Sequence, residues 1–148
     1  ARKVHLDGPY GALGIAEPEH YRVVYLIAGG VGVTPMASLA QHLLNKCPPA
    51  LERVHFVWTN RGPEAFVEWL PELKQAMLRH QTFRLQLFNT RTAAKPPPED
   101  EILTKHVSEV TDVEEGFEGV VTQGRPDLPA LLGAHAGEAG NVGVYVCG

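Results

Sequence analysis

Apolar residues recur with two different periods along this chain, and the two periods alternate. Residues 23–28, VVYLIA, form a continuous apolar run rich in β-branched side chains, which is typical of a strand covered on both faces of a parallel sheet. After a glycine turn, residues 35–46 carry apolar side chains at helical spacing, with polar residues opposite. This part of the chain therefore predicts a strand, a tight turn and an amphipathic helix.

The same order then repeats. Residues 53–59, RVHFVWT, predict a second strand, and apolar spacings of four, three and four over residues 66–77 predict a helix. We expect Pro71 to split or restart that helix, because proline is tolerated in a first turn and disrupts a helix interior. Residues 83–89, FRLQLFN, alternate apolar and polar side chains and predict a third strand.

The remaining pattern completes an α/β fold. A short strand is predicted near residues 119–123, a helix after GRPD, and a final buried strand over 142–148. Residues 90–118 are rich in proline and acidic residues; they predict a partly mobile insertion loop, with a short helix around residues 101–106. Alternating strands and helices indicate a three-layer, Rossmann-like, doubly wound and mostly parallel sheet of about five strands.

Size and charge narrow the class of protein. The 148 residues, 44% of them hydrophobic, suit one core and one domain over residues 1–148. The net charge is -4 and no Lys/Arg stripe is visible, so nucleic acid is not an expected partner. The start lacks Met and an apolar leader, and the end is an apolar strand; we therefore expect a fragment of a longer chain.

The patterns of cysteine, histidine and serine residues argue against a metal-binding site and against a hydrolase active site. Cys47 and Cys147 lie far apart without a CxxC motif, so the default is a reducing compartment with no zinc site or disulfide framework. The seven histidines show no ligand spacing, and no metal is assigned. Neither Ser38 nor Ser108 lies in a nucleophile elbow.

The turn after the first strand is the best candidate site. Ligands of open parallel sheets bind at the carboxyl ends of the strands. Gly30 and Gly32 would let backbone N–H groups approach an anion, Thr34 could cap the helix, and Pro35 suits its first position. We interpret this turn as a pyrophosphate seat. No Lys follows the glycines, which favours a dinucleotide over a nucleoside triphosphate; a plain tight connection is the alternative.

Two arginines suggest which dinucleotide binds. The second strand ends in TNR and no acid follows before Glu64, so Arg61 points to NADP over NAD. Arg125, in QGRPDL, could be a second phosphate clamp. Either arginine could instead be a solvated surface residue. Trp58 and Trp69 are interpreted as packing residues, and Cys147 could equally be a small buried hydrophobe.

Several motifs, taken together, resemble the NAD(P)H-binding domain of the ferredoxin-reductase superfamily. The resemblance is strongest to its membrane branch of ferric reductases and NADPH oxidases, in which FVEWL at 66–70 also has a counterpart. It covers nearly the whole chain, and the family's pyrophosphate loop reads GxGxxP, with Pro35 as its proline. The other motifs are HLDGPYG at 5–11, GGVGVTPMAS at 29–38, FVWTNR at 56–61, TQGRPDL at 122–128 and VYVCG at 144–148.

The resemblance implies roles for individual residues. Cys147 and Gly148 would lie beside the nicotinamide where hydride leaves, which makes Cys147 the candidate catalytic residue. Gly8 and Pro9 would lie at a junction, residues 1–15, with a missing flavin-binding barrel. The residues implied to hold the pyrophosphate and the nicotinamide side are Gly30, Val31, Gly32, Thr34 and Pro35. Arg61 and Arg125 are implied at the adenosine phosphate end, and the other residues implied to bind the cofactor are Thr59, Asn60, Gly124 and Pro126.

The same resemblance implies a larger enzyme. Hydride would pass from NADPH to FAD, and single electrons would then pass through haem to an acceptor across the membrane. The partners would be the FAD-binding domain and the haem-bearing membrane domain of the same chain, with this domain on the cytosolic side and inactive when isolated. The forms FVEWL and GRPDL favour ferric iron as acceptor. The alternatives are a superoxide-producing NADPH oxidase, a soluble flavin reductase, and a non-catalytic regulatory module that recruits a partner through the 90–118 loop.

Overall fold

The computed structural model describes residues 18–62, 64–91, 121–135, 137 and 141–148. The predictions for Gly8, Pro9 and most of the 90–118 loop lie outside these residues. The strands are β1 Val23–Gly29, β2 Arg53–Asn60, β3 Phe83–Asn89, β4 Val121–Gln123 and β5 Val142–Cys147. The α-helices are α1 Val33–Lys46, α2 Glu64–Glu68, α3 Pro71–Arg79 and α4 Leu128–Gly133, and two 3₁₀ turns span Pro18–His20 and Gly30–Gly32.

The strands form one parallel sheet in the order β4-β3-β2-β1-β5. Strands β1 to β4 are added one after another toward one edge, and the chain then returns to place β5 on the other side of β1. The crossover direction therefore changes between β1 and β5, which is where open α/β sheets leave a crevice for a ligand. The predicted doubly wound α/β sheet of five strands is confirmed.

Helices cover both faces of this sheet. On one face, α1 and α3 pack on alternate residues of the central strands, and the larger core includes Leu26, Phe56 and Trp58. On the other face, leucines of α4 pack against a smaller cluster that includes Tyr25 and Ile27. Since strand side chains alternate between faces, the continuous apolar run of β1 contributes to both clusters. This accounts for the three layers.

The expected effect of Pro71 is confirmed. Helix α2 ends at Glu68 and α3 begins at Pro71, after Leu70 has turned into the left-handed region at φ 56°. The buried Lys74 stabilises this corner, because its Nζ donates a hydrogen bond to the carbonyl oxygen of Phe66. Trp69 does not pack in the core as predicted: its side chain is 43% exposed, beside the left-handed turn.

The sheet face under α4 contains a polar cluster. The His55 ring on β2 stacks on the Tyr25 ring, with centroids 4.5 Å apart and planes 8° apart. The Tyr25 hydroxyl donates to the Leu131 carbonyl oxygen of α4 at 2.8 Å. Burial lowers the pKa of His55, and the nearby charges of His135, Arg53 and Arg84 act in the same direction; together they bring it from 6.5 to about 4. His55 is therefore neutral at physiological pH.

No helix in the described part of the chain is both long enough and apolar enough to cross a membrane.

Candidate functional site

The candidate site is the crevice at the carboxyl ends of β1 and β5. The 3₁₀ turn Gly30–Gly32 follows β1 directly, and α1 begins at Val33. Gly30 has a φ of +50°, whereas a Cβ placed on it would meet no atom within 4 Å. Glycine is thus required at position 30 by its left-handed backbone and not by lack of space.

Gly32 has a different role from Gly30. A Cβ on Gly32 would lie only 2.3 Å from the carbonyl oxygen of Cys147, so any side chain there would collide with the end of β5. Gly29 makes a similar approach, because a Cβ on it would lie 3.3 Å from Cα of Gly148. Because neither glycine has a side chain, the turn and the end of β5 come into contact. Gly32 is thereby placed next to Cys147 and Gly148, and all three are predicted to lie on the nicotinamide side of the cofactor.

Side chains hold the carbonyl groups around the turn. Thr59 Oγ1 donates to the Ala28 carbonyl oxygen at 3.2 Å, and Trp58 Nε1 donates to that of Gly30 at 3.0 Å. Thr34 Oγ1 donates to that of Val31, also at 3.0 Å. These three hydrogen bonds engage the carbonyl oxygens of Ala28, Gly30 and Val31 within the protein. The first N–H groups of a helix have no acceptor in the preceding turn of that helix, which is why a helix N-terminus is suited to an anion.

The predicted cap and helix start are wrong by two residues. Helix α1 begins at Val33 with Gly32 as its N-cap and with no side-chain cap, and Thr34 turns back to Val31 instead. The reason is that the 3₁₀ turn continues straight into the helix, with the Val33 N–H donating to the Gly30 carbonyl. Pro35 is consequently the third helical residue, still within the first turn, where its missing N–H costs no helix hydrogen bond.

The second part of the site is a row of strand ends that carry arginines. In the sheet register, Asn60 of β2 lies beside Asn89 of β3, and Asn89 lies beside Gln123 of β4. Arg61 follows β2 and Arg125 follows β4, and both are exposed. Neither forms an ion pair with another residue that the structure describes. Thr59 and Asn60 end β2 below them, and Pro126 follows Arg125.

Gly124 shapes the approach to Arg125. Its φ is +100°, a conformation that L side chains rarely adopt. Its N–H donates to the Asn89 carbonyl oxygen at 2.9 Å, which fixes the chain at the end of β4. Beyond it, Asp127 accepts a hydrogen bond from the Ala130 N–H at 3.0 Å and caps α4, as the predicted helix after GRPD requires.

Arg91 is a candidate that sequence reasoning missed. It follows β3, between the strand ends that carry Arg61 and Arg125. Its Nη1 lies 3.6 Å from Oε1 of Glu64, so part of its charge is already balanced. A signal was present: FNTR ends the third strand much as WTNR ends the second. It was overlooked because Arg91 was grouped with the proline-rich loop that follows.

Cys147 lies at the end of the strand next to the Gly30–Gly32 turn. It is the last residue of β5, opposite Ala28 of β1 in the register, and it is a free, half-buried thiol that also packs against the larger core. Gly148 follows it and is exposed. Val31, at the tip of the turn, is 77% exposed. The turn and the end of β5 thus approach each other through backbone atoms. Among the described residues, no group of three or more His, Cys, Asp or Glu side chains could hold a metal.

Comparison with known proteins identifies the family. Residues 21–148 match the family described as ferric reductase NAD binding domain. The chain belongs to this family. Its relatives include a superoxide-generating NADPH oxidase heavy chain of Dictyostelium discoideum, which is 31% identical and is matched over 98% of this chain and 29% of its own length. NADPH oxidase 3 of Rattus norvegicus is 29% identical, over 99% of this chain and 27% of its own.

A shorter sequence match and a solved structure are also similar to this chain. Human dual oxidase 1 is 37% identical over 48% of this chain and 5% of its own length. The CS-b5R domains of human Ncb5or, in an NAD+ form, superpose with a TM-score of 0.57 at 19% identity, covering 95% of this chain and 33% of theirs; this likeness supports the fold. The chain spans less than a third of the length of the oxidase relatives. Its family consists of NAD-binding domains found in oxidoreductases.

Proposed function

We propose that this ferric reductase NAD binding domain binds NADPH along the carboxyl edge of its sheet and presents the nicotinamide to a flavin. The observation that carries the proposal is the Gly30–Gly32 turn at the switch point between β1 and β5. Its carbonyl groups are held by Trp58 and Thr34, so the outward side of the turn offers N–H groups and a helix N-terminus to a diphosphate.

Arg61 and Arg125 account for the choice of NADPH. Both are exposed at the same edge and are unpaired among the described residues, so a phosphate on the adenosine ribose would find two cations without first breaking an ion pair. An arginine at the end of the second strand favours a 2′-phosphate, whereas an acid there favours a free hydroxyl. Two relatives are named NADPH oxidases, which supports the same nucleotide.

The nicotinamide would lie toward the end of β5. There Gly32, Cys147 and Gly148 form a close backbone contact, and the half-buried Cys147 thiol adds little bulk. These residues would orient the ring by their shape. When bound, NADPH supplies a hydride to FAD, and haem in the rest of the longer protein would carry single electrons onward.

The final electron acceptor has two candidates. Ferric iron agrees with the family description and with the FVEWL and GRPDL motifs. Dioxygen is favoured by one specific observation, the superoxide-generating relative that matches 98% of this chain. In either case we propose a membrane protein in which this domain lies on the cytosolic side, joined to FAD-binding and haem-bearing domains, with residues 90–118 as a site for a regulatory partner.

The test compares NADPH with NADH. We expect the 148-residue chain to bind NADPH more tightly in a fluorescence or calorimetric titration, and Arg61→Ala to weaken NADPH binding about tenfold, because charge-assisted hydrogen bonds are the stronger class, with little effect on NADH. Arg79→Ala is the matched control. Arg79 is exposed at the end of α3, which precedes the amino end of β3, so it lies away from the carboxyl ends of the strands. Equal affinity of the wild type for the two nucleotides would overturn the role of Arg61.

A further inference from the structure

We propose that Trp58 is a positioning residue for the diphosphate: its indole N–H fixes the Gly30–Val31 peptide so that the Val31 N–H faces the ligand. This inference rests on the proposed function, because it concerns the same turn. Trp58 belongs to β2, next to β1, and its ring lies on the face covered by α1 and α3. It therefore reaches the turn from beneath.

The direction of the peptide follows from planarity. Trp58 Nε1 lies 3.0 Å from the Gly30 carbonyl oxygen, so that oxygen points inward, toward a side chain that is 2% exposed. In a trans peptide, the N–H of the next residue points opposite to the carbonyl group. The Val31 N–H consequently points outward, on the side where the Val31 side chain is 77% exposed.

The turn needs such a restraint because of its backbone. Gly30 has a φ of +50°, and no atom lies within 4 Å of the position that a Cβ would take. Contacts with neighbouring atoms on that side therefore do not fix the conformation of Gly30. Glycine is also the residue with the greatest backbone freedom. A hydrogen bond from a rigid aromatic ring supplies the missing restraint, and the Val33 N–H supplies a second one from within the turn.

Trp58 is itself held from the side of α2. The Phe66 ring meets it edge to face, with centroids 5.0 Å apart and planes 84° apart. Lys74 donates to the Phe66 carbonyl oxygen, which ties α2 to α3. The α2–α3 corner thus supports the indole, and the indole supports the turn. This assigns to the FVEWL segment a role in nucleotide binding that involves no direct contact with the nucleotide.

The experiment uses Trp58→Phe, which removes the N–H and keeps a large apolar ring. Two ligands separate the effects: NADPH contains the diphosphate, whereas adenosine 2′-monophosphate contains the ribose phosphate of the arginine end and no part of the diphosphate. We expect the dissociation constant for NADPH to rise about fivefold, as for the loss of one neutral hydrogen bond, and that for the monophosphate to stay unchanged. Equal weakening of both ligands, or of neither, would overturn the inference.

A control and a second measurement keep the outcomes distinct. Phe56→Leu alters the same buried face of β2 without touching the turn, and we expect it to lower thermal stability while leaving the ratio of the two affinities unchanged. In the wild type, saturation with NADPH should shift the amide resonance of Val31; if NADPH binds and that resonance stays in place, the inference fails. A wild type that binds neither ligand would refute the proposed function instead.

Discussion

The two halves of the candidate site are built from different materials. The half around Gly30–Gly32 consists of backbone groups, and its shape depends on glycines, on a buried indole and on the end of β5. The other half consists of exposed arginine side chains after β2, β3 and β4. In the proposed function, the first binds what every nicotinamide dinucleotide shares, the diphosphate, and the second binds what distinguishes NADPH from NADH.

In the proposed function, the backbone half determines how tightly any nicotinamide dinucleotide binds, and the arginine half determines whether NADPH or NADH is preferred. Backbone amides carry no titratable charge and are fixed by the fold, so they cannot be altered without disturbing the sheet. Exposed arginines can be replaced at small cost to stability, because surface substitutions usually change it by about 0.5 kcal/mol or less. Their electrostatic contribution is also screened by salt. Substitutions in the turn, in the sheet and at the strand ends should therefore have effects of decreasing size.

Replacement of Gly32 by alanine should damage the backbone half most. The new Cβ would lie 2.3 Å from the Cys147 carbonyl oxygen, and backbone atoms on both sides leave no flexible side chain to move away. We expect a loss of about 1–3 kcal/mol in the free energy of unfolding, as for an overpacked core, together with weaker binding of both NADPH and NADH. Chemical denaturation and nucleotide titration measure the two effects.

Gly133→Ala is the matched control for this substitution, since a Cβ there would meet no atom within 4 Å. It should change the free energy of unfolding by about 0.5 kcal/mol or less. If Gly32→Ala behaved like Gly133→Ala, the close contact between the turn and β5 would not be what requires glycine.

The stability of the sheet that carries both halves should depend on pH through His55. The pKa of His55 falls from 6.5 to about 4 in the folded protein. As pH drops below 6.5, His55 therefore becomes protonated in the unfolded chain while it stays neutral in the folded chain. Stability contributed by neutral His55 is therefore present above pH 6.5 and is lost as pH falls toward about 4. His55→Phe can still stack on Tyr25 and should show a flatter fall in melting temperature. Identical falls in the two proteins would contradict the assignment.

The smallest effect is expected at Arg91. Because Glu64 Oε1 already lies 3.6 Å from its guanidinium, Arg91→Ala should weaken NADPH binding only about two- to threefold, as for a partly balanced surface charge. Glu64→Gln should strengthen it by a similar factor, since it releases Arg91. Titrations of both variants with NADPH and NADH measure this; an effect at Arg91 as large as that at Arg61 would mean that the arginine half is centred on β3.

Local patterns predicted the frame of the molecule well. The apolar run before the glycine turn became β1, the restart at Pro71 became α3, and Trp58 is buried as a packing residue. These features depend on neighbours within a few residues, where period and proline chemistry decide the outcome. The arrangement of arginines at strand ends also follows from a parallel sheet.

Long-range contacts were not predictable in the same way. Gly32 was interpreted as a glycine that admits an anion, whereas the structure adds a contact with Cys147 that no local pattern encodes. The helix start was misplaced because the 3₁₀ turn runs directly into α1 at Val33, and no side chain caps that start. The hydrogen bond from Trp58 to Gly30 joins two strands, and the sequence shows only that both residues exist.

The contact between Gly32 and Cys147 also bears on how the protein is made. The turn lies near the beginning of the domain, and the strand that completes it lies at the other end of the sequence. A ribosome must therefore synthesise nearly the whole domain before the crevice can close, and nucleotide captured during translation would report that β5 has already joined the sheet.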